Sequence, residues 1–307
     1  MLIDAVNSPN QRLPYEFPNN ISVFIKREDL LHPQISGNKF RKLKYNLHQA
    51  RQMGYNTLLT FGGAYSNHIA AVAAAGDEFG FNTIGIIRGE ELVDKINDNP
   101  TLRLAQQQGM QLVFVSRADY RGKNEPDFIQ KLNDQFGEFY LIPEGGTNAL
   151  AVQGCMEILT AQDKQQFDYV CCAVGTGGTI AGIVESSSEQ QTVLGFPALK
   201  GGFLQAEIQQ WTNKTNWELI PDYHYGGYAK TTPALLQFVQ NFKVQTGIEI
   251  EPVYTGKMLF GLFDLIHKHY FPANSQIMVI HSGGLQGNLS PHFAMSRQNL
   301  TSKKFAV

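Results

Sequence analysis

The 307-residue sequence has only three cysteines, and their spacing suits neither a disulfide framework nor a metal site. Cys171 and Cys172 are adjacent in an apolar run, and Cys155 lies in a helical pattern. An odd count without a C-x-x-C spacing argues against both arrangements. The histidines also lack metal-ligand spacing. We expect buried thiols in a reducing cytosol and no metal.

Long apolar runs and an excess of one charge are missing too. No run is long enough to span a bilayer, and the first 20 residues lack the basic-then-apolar order of a signal peptide. The formal net charge is -2, from 25 Lys and Arg against 27 Asp and Glu. This balance gives no reason to expect nucleic acid or a membrane as partner. The sequence predicts a cytoplasmic protein.

Glycine, in contrast, is abundant and clustered: 29 residues, many of them paired in "FGGAYSNH", "PEGGTNA", "VGTGGTIAG" and "HSGGLQGN". Short apolar runs precede these clusters and alternate with helical patterns. Such alternation predicts an α/β fold with parallel sheets covered on both faces. Two sets of such runs predict two domains, and the chain is expected to pass from one to the other near residue 150. Ligands in such folds bind beyond the carboxyl ends of the strands, where the glycines fall.

The segment "VGTGGTIAG" follows an apolar strand and opens a helix of small residues. Backbone N–H groups at a helix N-terminus form an anion cradle. A dinucleotide fingerprint would need a third glycine where Ile180 stands, and the GK[ST] of a P-loop is absent. The segment therefore predicts a phosphate site without a nucleotide motif and disfavours a nucleotide-binding Rossmann protein. A turn that serves only packing stays an alternative.

The segment "GGAYSNH" combines a helix cap with polar side chains. Ser66 is a suitable N-cap for the Ala-rich helix that follows. With Asn67 and His68 beside it, Ser66 can also hold a carboxylate at the positive end of the helix dipole. Both interpretations stay open here. A serine hydrolase is rejected, because adjacent positions do not place His68 on the Ser66 hydroxyl and no G-x-S-x-G elbow is present.

The segment "SGNKFRKL" is either a basic surface turn or the site of a reactive lysine. A lysine held deprotonated in a cleft can form a Schiff base. Lys39, the phosphate cradle and the carboxylate clamp together describe pyridoxal phosphate holding an amino acid. Arg41 and the cationic residues after Lys42 are predicted to form a solvated helix face.

These residues resemble a known family. The segments "IKREDL…SGNKFRKL", "FGGAYSNH", "VGTGGTIAG", "EPVYTGKM" and "IHSGG" are similar, in order from about residue 20 to 290, to the 1-aminocyclopropane-1-carboxylate (ACC) deaminase and D-cysteine desulfhydrase family. The resemblance implies pyridoxal-phosphate enzymes of fold type II, akin to the tryptophan synthase β subunit. It implies two three-layer α/β domains, residues 1–45 plus 150–307 and residues 46–149, with the active site in the cleft between them.

The resemblance also implies roles for residues at the cofactor. Lys39 matches the lysine that forms the Schiff base and moves the α-proton. Lys42 matches a second lysine near the cofactor phosphate, and Asn67 matches the partner of the pyridine 3-oxygen. The residues that match the phosphate loop are Gly175, Thr176, Gly177, Gly178 and Thr179.

On the substrate side, Ser66 matches a serine considered either a carboxylate ligand or a nucleophile. Asn67 and His68 complete the predicted clamp. Tyr228, in "GGYAK", and Tyr254, in "PVYTGK", match two active-site tyrosines. The resemblance further implies a small amino-acid substrate and a homodimer.

Two departures from the deaminase branch concern the pyridine nitrogen. Thr255 stands where that branch has an acid, and Ser282 replaces an apolar residue. Hydroxyl partners would leave the cofactor a weaker electron sink, suited to α-proton removal and β-elimination. We therefore expect a lyase like D-cysteine desulfhydrase that releases ammonia and an α-keto acid. The alternatives are an ACC deaminase and a cofactor-binding carrier or sensor without turnover.

Overall fold

A computed structural model describes residues 8–289. Its strands, numbered along the chain, are β1 Asn10–Arg12, β2 Ser22–Lys26, β3 Thr57–Gly62, β4 Asn82–Arg88, β5 Gln111–Val115, β6 Tyr140–Ile142, β7 Tyr169–Val174, β8 Thr192–Pro197, β9 Trp217–Leu219 and β10 Gln276–Ile280. Its helices are α1 Asn38–Gln52, α2 Asn67–Phe79, α3 Pro100–Gln107, α4 Arg117–Arg121, α5 Pro126–Phe136, α6 Ala149–Cys155, α7 Ala161–Gln166, α8 Gly178–Ser186, α9 Leu204–Gln209, α10 Pro233–Thr246 and α11 Thr255–His267.

The strands form two sheets. One has four strands in the order β5-β4-β3-β6, all parallel. The other has six strands in the order β1-β2-β10-β7-β8-β9, parallel except that β1 runs antiparallel to β2. Parallel strands covered on both faces need apolar side chains on both faces. The run "VCCAV" of β7 meets this need, since residues 170–174 are all buried.

The predicted α/β fold with parallel sheets is confirmed. Two short edge strands, β1 and β9, were not predicted. Strand β9 begins at Trp217 and ends at Leu219. Within residues 8–289 no helix is long and apolar enough to cross a membrane.

Helix α1 contacts the layers of both sheets. Phe40 and Leu43 lie in one apolar cluster with Leu58 of β3 and the alanines of α2. Farther along the chain, Gly154 of α6 packs directly against the backbone of α1. The division into residues 1–45 plus 150–307 and residues 46–149 stays a prediction.

The prediction of a solvated cationic face on α1 is wrong for Arg41 and Lys44, whereas Arg51 near the end of the helix is exposed. Arg41 is 1% exposed, and its Nε donates to the Glu28 carboxylate at 2.8 Å. Lys44 is 2% exposed and pairs with Glu157 at 2.6 Å. A charged side chain is buried in this way only when it is paired. Arg41 and Lys44 therefore anchor the helix. Their partners Glu28 and Glu157 lie 13 and 113 residues away in sequence.

Replacing Gly154 with alanine should loosen the contact between α6 and α1. A Cβ at this position would lie 2.0 Å from the Arg41 carbonyl oxygen, so the helices would have to separate. We expect the free energy of unfolding to fall by about 2–3 kcal/mol, as for other overpacked sites. Denaturant unfolding checks this. Gly122→Ala is the matched control. A Cβ at this position would lie 3.5 Å from its nearest neighbour, the Asp119 carbonyl oxygen, so this substitution should cost little stability. Equal stability of the two variants would contradict the packing argument.

Candidate active site

The segment that carries Lys39 packs directly on the end of β10. A Cβ at Gly37 would lie 2.0 Å from the Ser282 carbonyl oxygen, so only glycine allows this approach. Gly37 also has a φ of +64°, which glycine adopts readily. Asn38 N–H donates to the same carbonyl at 3.3 Å. Residues 245 positions apart in sequence, at 37 and 282, are thus joined through their backbones.

Lys39 is tied to the predicted phosphate loop through Asn38. Its Nζ donates to Asn38 Oδ1 at 3.2 Å, and Asn38 Nδ2 donates to Thr179 Oγ1 at 2.8 Å. Burial, and secondarily the charge of Lys42, lower the pKa of Lys39 to about 7. A large share of its amine is therefore unprotonated near neutral pH, the form that attacks a carbonyl.

The reactivity of Lys39 should follow this pKa. We expect labelling of cofactor-free protein by added pyridoxal phosphate, fixed with borohydride, to be half-maximal near pH 7, where half of the amine has lost its proton. An ordinary lysine, with a pKa of about 10.4, would still gain reactivity well above that pH. Mass spectrometry of the Lys39 peptide measures this, with the exposed Lys131 as internal comparison. Half-maximal labelling of Lys39 near pH 10 would contradict the lowered pKa.

Lys42 lies among three oxygen atoms near the predicted phosphate loop. Its Nζ donates to Gly145 O at 2.9 Å, to Thr147 Oγ1 at 3.0 Å and to Thr176 Oγ1 at 3.4 Å. Burial lowers the pKa of Lys42 to about 8, so it stays mostly protonated at pH 7. Thr147 was not predicted, although it stands in the flagged segment "PEGGTNA". The arrangement places a cation beside the N-terminus of α8.

The glycines of residues 175–179 shape this end of the site. Gly177 has a φ of +85°, and a Cβ at Gly178 would lie 2.7 Å from Thr147 Oγ1. Small residues keep the first N–H groups of α8 open, as an anion at a helix N-terminus requires. With Lys42 opposite and the Lys39 amine available, these residues fit pyridoxal phosphate.

Ser66 and Asn67 lie at the N-terminus of α2. Ser66 Oγ accepts from the backbone N–H groups of His68 and Ile69 at 3.2 and 3.3 Å, as an N-cap does. Its own hydroxyl proton is left to donate. Asn67 Oδ1 accepts from Gln286 Nε2 at 2.7 Å, and its amide packs against Gly284. Gln286 was not predicted, and it leaves Nδ2 as the donor that a pyridine 3-oxygen needs.

The side chain of His68, unlike those of Ser66 and Asn67, is fully enclosed by the protein. Its side chain is 2% exposed, and Nε2 lies 2.8 Å from Thr60 Oγ1. Thr60 already donates to Ile142 O, so the imidazole Nε2 must be the donor. Burial and the charges of Lys39 and Lys42 hold the pKa of His68 well below its usual value. A carboxylate would meet a neutral ring here, and the role of His68 as substrate ligand stays a prediction.

The side chains of Thr255 and Ser282 lie close together. Their hydroxyl oxygens are 3.5 Å apart although the residues are 27 positions apart. Thr255 is fully buried. Glu251, one turn earlier, is occupied by the backbone N–H groups of Val253, Tyr254 and Thr255 at 2.6–3.0 Å. At the position where the deaminase branch has an acidic residue, this protein therefore has a pair of hydroxyl groups.

Tyr228 and Tyr254 lie next to each other. Their rings are T-shaped with centroids 6.1 Å apart. Burial raises the pKa of both phenols. Both hydroxyls are protonated at neutral pH and can donate a proton. No cluster of three metal-ligating side chains occurs among the described residues.

Comparison with known proteins agrees with this geometry. A family model described as pyridoxal-phosphate dependent enzyme matches residues 6–283, and the chain belongs to that family. It is 31% identical, over 97% of its length and 99% of the relative's, to a putative ACC deaminase of Thermotoga maritima. It is 30% identical to a bifunctional D-cysteine desulfhydrase/ACC deaminase of Arabidopsis thaliana, mitochondrial, over 88% of this chain and 74% of the relative. A crystal structure of an ACC deaminase homologue superposes with a TM-score of 0.82 at 27% identity, covering 96% and 95% of the two chains.

Membership of the family confirms three predictions. The protein is an enzyme, its cofactor is pyridoxal phosphate, and its fold is that of fold-type II relatives. The roles of the individual site residues stay predictions.

Proposed function

We propose that this enzyme is a lyase of the D-cysteine desulfhydrase type, which removes a β-substituent and ammonia from a small amino acid. The meeting of Thr255 and Ser282 carries the proposal. Two hydroxyls at the predicted position of the pyridine nitrogen hold a positive charge less well than a carboxylate would. This environment favours α-proton removal followed by β-elimination over cyclopropane opening.

Bound pyridoxal phosphate supplies an electron sink for the charge that develops at the substrate α-carbon. Lys39, with its lowered pKa, accepts the α-proton. Ser66 donates its free hydroxyl proton to the substrate carboxylate, and the dipole of α2 favours the anion at that place. The glycine cradle of α8 and Lys42 hold the phosphate.

Tyr254 and Tyr228 act at the β-substituent. The bonding pair leaves with that substituent, and the protonated phenols provide the proton it takes up. For D-cysteine the balance is one cysteine and one water giving pyruvate, ammonia and hydrogen sulfide. The donors must stay protonated during turnover, which their raised pKa values ensure.

ACC deaminase activity is the second candidate. The name of the relative at 31% identity favours it, whereas the relative at 30% identity is named for both activities. That reaction converts ACC and water into 2-oxobutyrate and ammonia. It needs ring opening, for which the Thr255 and Ser282 pair is the less suitable environment.

A substrate panel separates the candidates. The cofactor-loaded enzyme is incubated with D-cysteine, L-cysteine, β-chloro-D-alanine and ACC, and the keto acid is identified. We expect pyruvate from D-cysteine and β-chloro-D-alanine. 2-Oxobutyrate from ACC, with no pyruvate from the others, would contradict the elimination proposal. An absence of keto acid from a wider amino-acid panel would favour a carrier.

Homodimerisation and a cytoplasmic location are further parts of the proposal. The first rests on the family resemblance, and the second on three free, buried cysteines. Light scattering of the holoenzyme should give twice the 34.2 kDa chain mass. Cell fractionation should find the protein with cytoplasmic markers. A monomer, or enrichment in another compartment, would overturn the corresponding part.

A further inference from the structure

We propose that Lys257 is a positioning residue that clamps the tyrosine loop, residues 224–230, so that Tyr228 stays opposite Tyr254. The inference rests on the proposed function, in which Tyr228 acts on the substrate. Lys257 belongs to the motif "PVYTGK", in which only Tyr254 and Thr255 were predicted to be site residues.

Lys257 connects α11 to the tyrosine loop by two short bonds. It lies in the first turn of α11 and is 2% exposed. Its Nζ donates to His224 O and to Gly227 O, both at 2.8 Å. Nζ makes no ion pair within residues 8–289, although Glu251 is close enough to affect it electrostatically. The buried ammonium is therefore committed to the two carbonyls of the loop.

The tyrosine loop has a backbone that needs such a tie. Positive φ values occur at Tyr225, Gly226, Gly227 and Ala229, at 52°, 92°, 114° and 56°. For residues other than glycine this region is unfavourable and persists only when surrounding contacts enforce it. The other backbone bonds of the loop are local, such as Gly227 N–H to His224 O. Lys257 joins the residue just before Tyr228 to a different element.

The same helix turn also presents the partner tyrosine. Tyr254 precedes Lys257 by three residues, and Glu251 fixes the backbone of this turn by accepting from Tyr254 and Thr255 N–H. The start of the loop is held separately, because the Tyr225 ring packs on Phe260 at 5.8 Å. Loss of Lys257 would consequently release the Tyr228 end while the start of the loop stays docked.

Hydrogen exchange and a double-mutant cycle test the clamp. The variants are Lys257→Met, Tyr228→Phe and their combination, with Lys268→Met as control, because Lys268 is exposed at the opposite, C-terminal end of the same helix. In Lys257→Met we expect the amides of residues 224–230 to exchange at least about tenfold faster. We expect kcat and kcat/KM to fall together by about tenfold, because the lost interaction acts in the transition state. In the Tyr228→Phe background Lys257→Met should change kcat less than about twofold, since coupled residues are not additive.

Unchanged exchange in residues 224–230 would overturn the clamp. Independent, multiplicative losses of kcat in the double variant would overturn its action through Tyr228. If Lys257→Met does not fold, as judged by circular dichroism and labelling of Lys39, Lys257→Gln replaces it with the same expectations. If the wild-type enzyme releases no keto acid, the proposed function fails, while the exchange result still decides whether Lys257 holds the loop.

Discussion

Lys39→Ala should lower keto-acid release by about 10³-fold or more. The substitution removes both the amine that joins the cofactor and the base that takes the α-proton, and a positioned general base alone contributes about 10²–10⁴-fold. No neighbour can substitute, because the Lys42 ammonium is engaged by Gly145, Thr147 and Thr176. Steady-state kinetics on the substrate that the panel identifies provides the measurement.

Lys39→Arg sharpens this test. Arginine keeps the positive charge but does not lose its proton in proteins, so it should be as inactive as alanine. The exposed Lys131→Ala should keep wild-type activity. Activity within about tenfold of wild type in Lys39→Ala would contradict the role of this lysine.

Glu251→Ala should lower the free energy of unfolding by about 3–4 kcal/mol. The carboxylate is 1% exposed and accepts from three backbone N–H groups at the start of α11. Its removal leaves these donors buried without a partner, and each orphaned group costs about 1–3 kcal/mol before the structure relaxes. The same turn holds Tyr254 and Thr255, so cofactor affinity should fall as well. Denaturant unfolding and cofactor titration measure the two effects.

Two further variants separate the hydrogen bonds from the charge. Glu251→Gln keeps one acceptor oxygen and should lose about half as much stability as alanine. Glu91→Ala removes an exposed carboxylate paired with Arg117 and should leave the free energy of unfolding nearly unchanged, because exposed ion pairs contribute little. Equal stability of Glu251→Ala and Glu91→Ala would show that the buried carboxylate does not organise α11.

Local patterns were sufficient to predict the fold class and the segments of the site. Short apolar runs such as "VCCAV" that end at glycine clusters are typical of strands in a covered sheet. Since parallel strands end at one edge, loops at residues 66, 175 and 282 were expected to converge. In the structure Gly37 packs on Ser282, Asn38 donates to Thr179, and Asn67 packs against Gly284.

Contacts between residues that are far apart in sequence could not be predicted from local patterns. Arg41 was predicted to be solvated because nothing near it in sequence is acidic, yet Glu28 closes a buried pair. Lys257 and Glu251 escaped notice because their partners are backbone groups, which carry no sequence signal. Strand β9 is three residues long and partly exposed, too short for a clear period.

Peptide mapping after borohydride reduction of the holoenzyme tests the central claim most directly. Reduction makes the bond between the cofactor and its lysine permanent, and the digest shows which lysine carries the added mass. The account predicts one modified peptide, with the label on Lys39 in "SGNKFRKL". A label on Lys42 or on Lys257 instead, or no stable label on a cofactor-loaded protein, would contradict it.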